Sequence, residues 1–309
     1  GDDVDVAAPV DPVVECVRPD DVEALDQLRC DVVDDLQIRA EHCGDVGTTH
    51  SADGTAVGAT TALAVTVGCM STIDLAAARD VVEPLFAADA PHGTSLAVVV
   101  MQAGRVVLER YGHTPDTAFG PGGPVTADTT LVSWSMAKSI THAAVGILVD
   151  EGRLRLDAPA PVPSWKGTEK ERITLQHLLD MRSGLHFVED YVDGEVSDVI
   201  DMLFGEGRDD VAAYAAALPL DHEPGSVWNY SSGTTNIVAR IVGDAVGGGS
   251  AGMESFLRDR LFNPAGMHSA VPKFDAAGTF VGSSFVYATA RDFATFGELY
   301  RCDGVTAEG

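Results

Sequence analysis

The period of the apolar pattern changes along the chain. From Ser95 to Tyr111, "SLAVVVMQAGRVVLERY", two β-branched runs flank Gln102-Ala103-Gly104, which predicts a β-hairpin. Just before it, "STIDLAAARDVVEPLF" sets Leu75, Ala78, Val81, Val82 and Leu85 at helical spacing, with Ser71 or Thr72 as N-cap. Beyond the hairpin the helical period dominates. "SWSMAKSITHAAVGILVDEG" carries a stripe of Met136, Ile140, Ala143 and Ile147. Further helices are predicted over "TLQHLLDMRSG", closed by Gly184, over "SDVIDMLFG", over "RDDVAAYAAALP" and over "ESFLRDRLF". "SSGTTNIVARIVGDAVGGG" places Ile237, Val238, Ile241 and Val242 on one face. "TARDFATFGELYRCDG" opens with Thr289-x-x-Asp292, a capping-box spacing, and stops at Gly304. The sum is a mixed α/β chain, a hairpin followed by a long helical region.

The first 70 residues have another character. Residues 1–50 hold 14 acidic and 3 basic side chains, and "GDVGTTHSADGTAVGATT" follows, rich in Gly, Thr and Ser. We read 1–70 as an acidic, cysteine-containing N-terminal extension and 71–309 as the main domain. Cys16, Cys30, Cys43 and Cys69 fit two disulfides and free thiols equally well. The chain has no Cys-x-x-Cys pair, which argues against zinc. The formal net charge of −27 argues against nucleic acid and anionic membrane surfaces as partners, since both demand clustered Lys and Arg. No apolar run reaches the roughly 18 residues of a membrane span. The acidic tail and clustered cysteines tilt the expected location towards secreted, periplasmic or cell-surface over cytoplasmic.

Candidate chemistry centres on Ser135 and Lys138. Three residues apart on a helix, their Cβ atoms are expected about 5–6 Å apart. Both fall in the first turns, where the helix dipole favours an oxyanion and disfavours an ammonium. That environment suits a lysine that takes a proton from a serine. A capping serine followed by a surface lysine has the same spacing, so the pair alone is weak. "EPGSVWNYSSGTTN" adds Tyr230 at the entrance of a later helix, where its phenol could relay protons between Ser135 and a leaving group. "GGSAG" at 248–252 fits Gly-x-Ser-x-Gly, but a helix rather than a strand precedes it, so it reads as a helix connector. "VEDYVDGEVSD" is acidic without calcium-loop spacing and reads as a solvated loop. His142, His177 and His186 read as structural.

In this order, "SWSMAKSITHAAVGILVDEGRLRLDAPA", "ITLQHLLDMRSGL", "PGSVWNYSSGTTNIVARIV" and "GTFVGSSFVYATARDFATFGELYRCDG" resemble the serine β-lactamase and penicillin-binding-protein superfamily. The resemblance runs from about residue 75 to 309 and is nearest the esterase and 6-aminohexanoate-oligomer hydrolase branch. It implies a sandwich of an antiparallel sheet with flanking helices, plus a helical domain. It implies Ser135 as nucleophile, Lys138 as its base partner, Tyr230 as second proton relay, an acyl-enzyme intermediate, and no metal or cofactor. In that branch a loop tyrosine, preceded at two residues by a glutamate, closes over substrate. Glu189 and Tyr191 of "EDY" match it, and with Ser232 they form the expected substrate-binding set.

Two departures shape the expectation. The family follows its motif tyrosine with x-Asn, where this chain has Ser232, which favours small esters or short linear amides over β-lactams. The Lys-Thr-Gly or His-x-Gly strand that edges the family's site is absent after Tyr230, and "WKGTEK" at 165–170 is out of order. A hairpin alone is marginal, so the chain is expected to be a shortened form of a longer hydrolase with its C-terminal strands missing. The leading expectation is a serine hydrolase acting on a small-molecule ester or amide. A β-lactam or D-amino-peptide hydrolase or binder, and a relative that binds without turnover, are the alternatives.

Overall fold

The computed structural model describes residues 62–66, 73–87, 90, 93–117, 120–191 and 197–306. Cys16, Cys30, Cys43 and Cys69, the Gly/Thr/Ser-rich stretch before Ala62 and part of the acidic loop after Tyr191 lie outside them. The predicted hairpin is present as β2 (Ala97–Gln102) and β3 (Arg105–Tyr111), turning on Ala103 and Gly104, both at positive φ. That left-handed pair matches the twist of the flanking strands. The hairpin is not alone. β1 (Ala62–Thr66), within the segment assigned to the extension, runs parallel to β2, giving the order β1-β2-β3. A second sheet of three antiparallel strands, β4 (Thr130–Val132), β6 (Val286–Thr289) and β5 (Val271–Pro272), has the order β4-β6-β5.

β2 buries both faces, as its unbroken "AVVVM" predicts. Val98 packs with α1 (Leu75–Val82) through Val82 and with Leu108, while Ala97, Val99 and Met101 join the main core. The cap of α1 is Asp74, not Ser71 or Thr72. Its carboxylate accepts from the N–H groups of Ala76 and Ala77 at 3.0 and 3.2 Å, and a carboxylate is at least as good as a hydroxyl at the positive end of a helix.

Around these sheets sit α2 (Ala137–Asp150), α3 (Leu175–Leu179), α4 (Asp198–Phe204), α5 (Val211–Ala217), α6 (Ser232–Val246), α7 (Gly249–Leu257) and α8 (Ala290–Arg301). α8 packs across β1 and β2, and its Arg291 clasps Glu109 of β3 with both guanidinium arms, at 2.8 and 2.7 Å. The buried face of α2 is Ala137, Ile140, Thr141, Ala144, Val145 and Leu148. Met136, Ala143 and Ile147, expected to centre the stripe, sit at its margin as partly buried neighbours. α3 is shorter than predicted and ends at Leu179, because Met181 turns to positive φ before Gly184 is reached. At α8, Thr289 accepts from the Asp292 N–H at 3.2 Å, but Asp292 does not complete the box. Its carboxylate takes the N–H and hydroxyl of Ser269 instead, each at 2.7 Å.

Candidate active site

β4 ends at Val132, and the chain makes one tight turn before α2. Trp134 sits in that turn at φ 43°, a conformation that costs a bulky residue on the order of 1–3 kcal/mol. Its ring rests against Phe285 at 5.9 Å, and Phe285 in turn meets Phe204. Ser135 follows in a single 3₁₀ turn, Trp134–Met136, that leads into α2, and its side chain is exposed. The strained residue thus directly precedes the candidate nucleophile.

Lys138 reaches back over this turn. Its Nζ donates to Ser135 Oγ at 3.1 Å, Ser232 Oγ at 3.0 Å and the Ser283 carbonyl at 3.2 Å. The Tyr230 ring lies 4.8 Å from the same nitrogen. The contact is made through the ring face, which attracts a cation, whereas the sequence suggested the phenol edge. Ser232 opens α6 behind its N-cap Ser231 and is 1% exposed. Glu189 closes the arrangement. Its Oε2 accepts the Ser232 N–H at 2.6 Å, its Oε1 accepts the Ser232 hydroxyl at 2.5 Å, and the Tyr191 hydroxyl donates to Oε1 at 3.3 Å. Burial, with Glu189 and Tyr230 nearby, pushes the Tyr191 phenol far above the usual tyrosine range, so it stays a neutral donor. All six residues singled out in the sequence therefore meet. Ser232 and Glu189 lie behind the lysine, with the Ser232 hydroxyl engaged on both sides.

Packing explains why Glu189 arrives there. Gly233, one residue into α6, has the Phe187 ring where a Cβ would stand, 2.5 Å from its nearest atom, and Ala215 at 2.9 Å. Only glycine lets the extended segment 187–189 lie this close to the start of α6.

Sequence reasoning missed the floor of the site. Residues 282–284 are strapped down by three buried side chains from separate elements. Thr141 donates to the Gly282 carbonyl at 2.9 Å, Asn236 accepts from the Ser283 N–H at 3.1 Å, and Ser133 donates to the Ser284 carbonyl at 2.9 Å. The Val286 N–H returns to Ser133 Oγ at 3.1 Å. These bonds fix the Ser283 carbonyl that holds Lys138. The one local signal was a hydroxyl at Ser133, directly after the apolar strand end Leu131-Val132.

The signals set aside earlier have structural roles. "WKGTEK" braces the end of α5. Trp165 Nε1 donates to the Ala216 carbonyl at 2.9 Å, and Lys170 Nζ donates to the Ala216 and Ala217 carbonyls at 2.9 and 3.2 Å, where a cation suits the helix C-terminus. The break between α6 and α7 is made by Gly247, Gly248 and Gly249, all at positive φ, and the Ser250 of "GGSAG" lies in the first turn of α7. His177 caps α3 together with Thr174, and His142 Nδ1 lies 3.4 Å from the Tyr300 hydroxyl. Among the described residues no group of three His, Cys, Asp or Glu is placed to hold a metal ion, and no helix is long and apolar enough to cross a membrane. Cys302 is a free thiol.

His186 ties the segment leading to Glu189 to its surroundings, with Nδ1 2.7 Å from Asp221 Oδ2 and Nε2 3.5 Å from Asp198 Oδ2. The hydrogen bond to Asp221, and the charges of Asp221 and Asp198, raise its pKa above 6.5. A raised folded-state value means stability that is full below the unfolded pKa and is lost as pH climbs through the folded one. His186→Gln should therefore lower the melting temperature at pH 5.5 and leave it nearly unchanged at pH 9. The ring is 39% exposed, so screening keeps the effect below about 1 kcal/mol. An equal loss at both pH values would show that packing, not charge, is at stake.

A cavity of about 220 Å³ adjoins Lys138 and is lined also by Thr141, Leu178, Met181, Val238 and Tyr300. The β-lactamase family model matches residues 82–307. The chain is 28% identical over 225 residues to penicillin-binding protein 4 of Amycolatopsis lactamdurans, covering 62% of this chain and 55% of that protein. It is 32% identical over 168 residues to protein Rv1367c of Mycobacterium tuberculosis, covering 47% and 40%. The chain thus spans about half the length of the curated relatives it matches. Among solved structures, a supposed 6-aminohexanoate-dimer hydrolase from Bacillus anthracis superposes with a TM-score of 0.57 at 24% identity, over 69% of this chain and 56% of that one, a likeness of fold.

Proposed function

The chain belongs to the β-lactamase family, a superfamily of serine hydrolases, and on that premise we propose that it cleaves small esters or short linear amides through an acyl-enzyme. The observation that carries this reading is the Lys138 Nζ held 3.1 Å from Ser135 Oγ at the start of α2. In the proposed reaction Ser135 Oγ attacks the substrate carbonyl and its proton passes to Lys138 Nζ. The positive end of α2 favours the oxyanion that forms. As the tetrahedral intermediate collapses, Lys138, with Tyr230 beside it, returns a proton to the departing oxygen or nitrogen. Water, activated by the same groups, then releases the acyl chain.

A small, linear substrate is supported by Ser232. Where relatives in the resembled family offer a carboxamide, Ser232 presents a hydroxyl that is 1% exposed and already bonded to Lys138 and Glu189. Missing one such hydrogen bond costs a β-lactam about 1–3 kcal/mol, about 10–100-fold in rate. We expect a fluorophosphonate to label Ser135, p-nitrophenyl acetate to give a burst equal to the protein present, and a chromogenic cephalosporin to turn over more slowly by that factor. Faster cephalosporin turnover would replace the ester reading with the β-lactam one. Labelling without turnover would make the chain a binder, and absence of labelling would defeat the hydrolase reading altogether.

A further inference from the structure

A lysine that is to take the Ser135 proton must first hold a free lone pair, and an ammonium has none. The site has an evident place for the extra proton. Lys138 Nζ donates to Ser232 Oγ at 3.0 Å, and the same Ser232 hydroxyl donates to Glu189 Oε1 at 2.5 Å. Ser232 thus bridges an ammonium and a carboxylate through one rotatable hydroxyl that can accept from the first while giving to the second. Ser232, the middle of the bridge, is 1% exposed, and Lys138 and Glu189 on either side are half-buried. Glu189 is held in register by a second bond, from the Ser232 N–H to Oε2 at 2.6 Å, and by the Tyr191 hydroxyl. A carboxylate that merely capped α6 would need only the N–H bond. The hydroxyl bond aligned with Lys138 is additional.

Building on the hydrolase reading above, we propose that Glu189 is the proton reservoir for Lys138 and that Ser232 is the relay between them. An ammonium N–H proton moves from Lys138 to Ser232 Oγ as the Ser232 hydroxyl proton moves to Glu189 Oε1. The products are a neutral amine, an unchanged serine and a carboxylic acid, with net charge conserved. The amine then removes the Ser135 hydroxyl proton as Oγ bonds to the substrate carbonyl carbon, whose π pair moves to oxygen. When the leaving group departs with its bonding pair it takes a proton from the Lys138 ammonium. Reversal of the relay restores carboxylate and ammonium for the next half-reaction. Neither Glu189 nor Ser232 bonds to Ser135. They act through Lys138, as positioning and proton-holding groups.

The test is steady-state ester hydrolysis by Ser232→Ala, Ser232→Thr, Glu189→Gln and the Ser232→Ala/Glu189→Gln double variant, each checked for an intact melting transition. Ser232→Ala keeps the backbone N–H bond to Glu189 and removes only the bridge. We expect Ser232→Ala and Glu189→Gln each to lower kcat by about 10–100-fold with KM changed less than about threefold. The double variant should fall no further than the worse single one, because the two groups act in series. Ser232→Thr, which keeps the hydroxyl, should regain most of the rate. In mixtures of light and heavy water, the wild-type rate should bow below a straight line, as for more than one proton in flight, and Ser232→Ala should give a straight line. Raised KM at constant kcat would make Ser232 and Glu189 substrate contacts and overturn the relay. So would losses that multiply in the double variant, or a straight proton inventory in the wild type. If the wild type is not labelled at Ser135 by a fluorophosphonate, the hydrolase reading itself has failed. If it is labelled and Ser232→Ala hydrolyses ester at the wild-type rate, the relay alone has failed.

Discussion

Ser135→Ala and Lys138→Ala should each remove about 10³–10⁶-fold of ester turnover, and the double variant should lose little more than the worse of the two. The first removes the atom that forms the acyl bond. The second removes the base at 3.1 Å from that atom, and general-base assistance is worth about 10²–10⁴-fold even before its role with the leaving group is counted. Because both act in one proton-coupled step, removing either stops the step, so the effects cannot multiply. Lys138 also satisfies Ser232 Oγ and the Ser283 carbonyl, so Lys138→Met, which keeps the apolar stem, belongs beside the alanine variant. kcat/KM for p-nitrophenyl acetate reads the loss, and fluorophosphonate labelling separates the two variants. Ser135→Ala should not label at all, whereas Lys138→Met should label slowly. A Lys138→Met enzyme within tenfold of wild type would remove the lysine from the proposed chemistry.

The part of this site that was legible in the sequence is the part encoded over short distances. Ser135 sits in the 3₁₀ turn that runs straight into the helix of Lys138, so their three-residue spacing alone predicts the contact that forms. The β2–β3 turn was equally local, since Ala103-Gly104 between two β-branched runs has few alternatives. Tyr230 was marked by its place at a helix entrance and Ser232, Glu189 and Tyr191 came from resemblance, and periodicity could not have placed any of them near Lys138. The relation of Ser232 to Glu189 depends on Gly233 admitting the Phe187 ring, a contact across 46 residues. Errors came where tertiary structure overrides a local rule. The burial of α2 is set by the elements packed on two sides of it, which turns Ala137, Thr141 and Ala144 inward and leaves Met136 and Ile147 at the margin. Asp292 obeys half a capping box because Ser269, 23 residues away, offers two better donors. β1 was not predicted at all. It lies after a run of Gly, Thr and Ser that reads as loop, and a parallel partner gains its stability from a strand more than 30 residues on. The floor of the site was hidden for the same reason, as Ser133 and Ser284 are 151 residues apart.

That floor leads to the second large expected effect. Ser133→Ala should lower the stability of the protein by about 2–4 kcal/mol and its ester turnover by about tenfold or more, although Ser133 touches neither substrate nor Lys138. The hydroxyl, 3% exposed with its residue, donates to the Ser284 carbonyl at 2.9 Å and accepts from the Val286 N–H at 3.1 Å. Deleting it strands two buried backbone groups, each costing about 1–3 kcal/mol. The adjacent bond from the Ser133 N–H to the Val286 carbonyl, 2.8 Å, survives and keeps β4 beside β6. The fold should therefore persist with a melting temperature lower by about 4–16 °C for a domain of this size. The loss of turnover follows from geometry. Ser283 sits between the loosened Ser284 carbonyl and the Asn236 strap, and its carbonyl is one of three acceptors that aim Lys138. Ser133 also starts the turn that holds Trp134 at positive φ, so relaxing it lets Ser135 drift from Lys138. A displacement of this kind should appear as a fall in kcat with little change in KM. Ser133→Thr restores the hydroxyl at the cost of one buried methyl, and should recover the rate more fully than the stability. If Ser133→Ala lost stability but kept full kcat, the loop at 282–284 would be a structural strap only, and the aim of Lys138 would have to come from Ser135 and Ser232 alone.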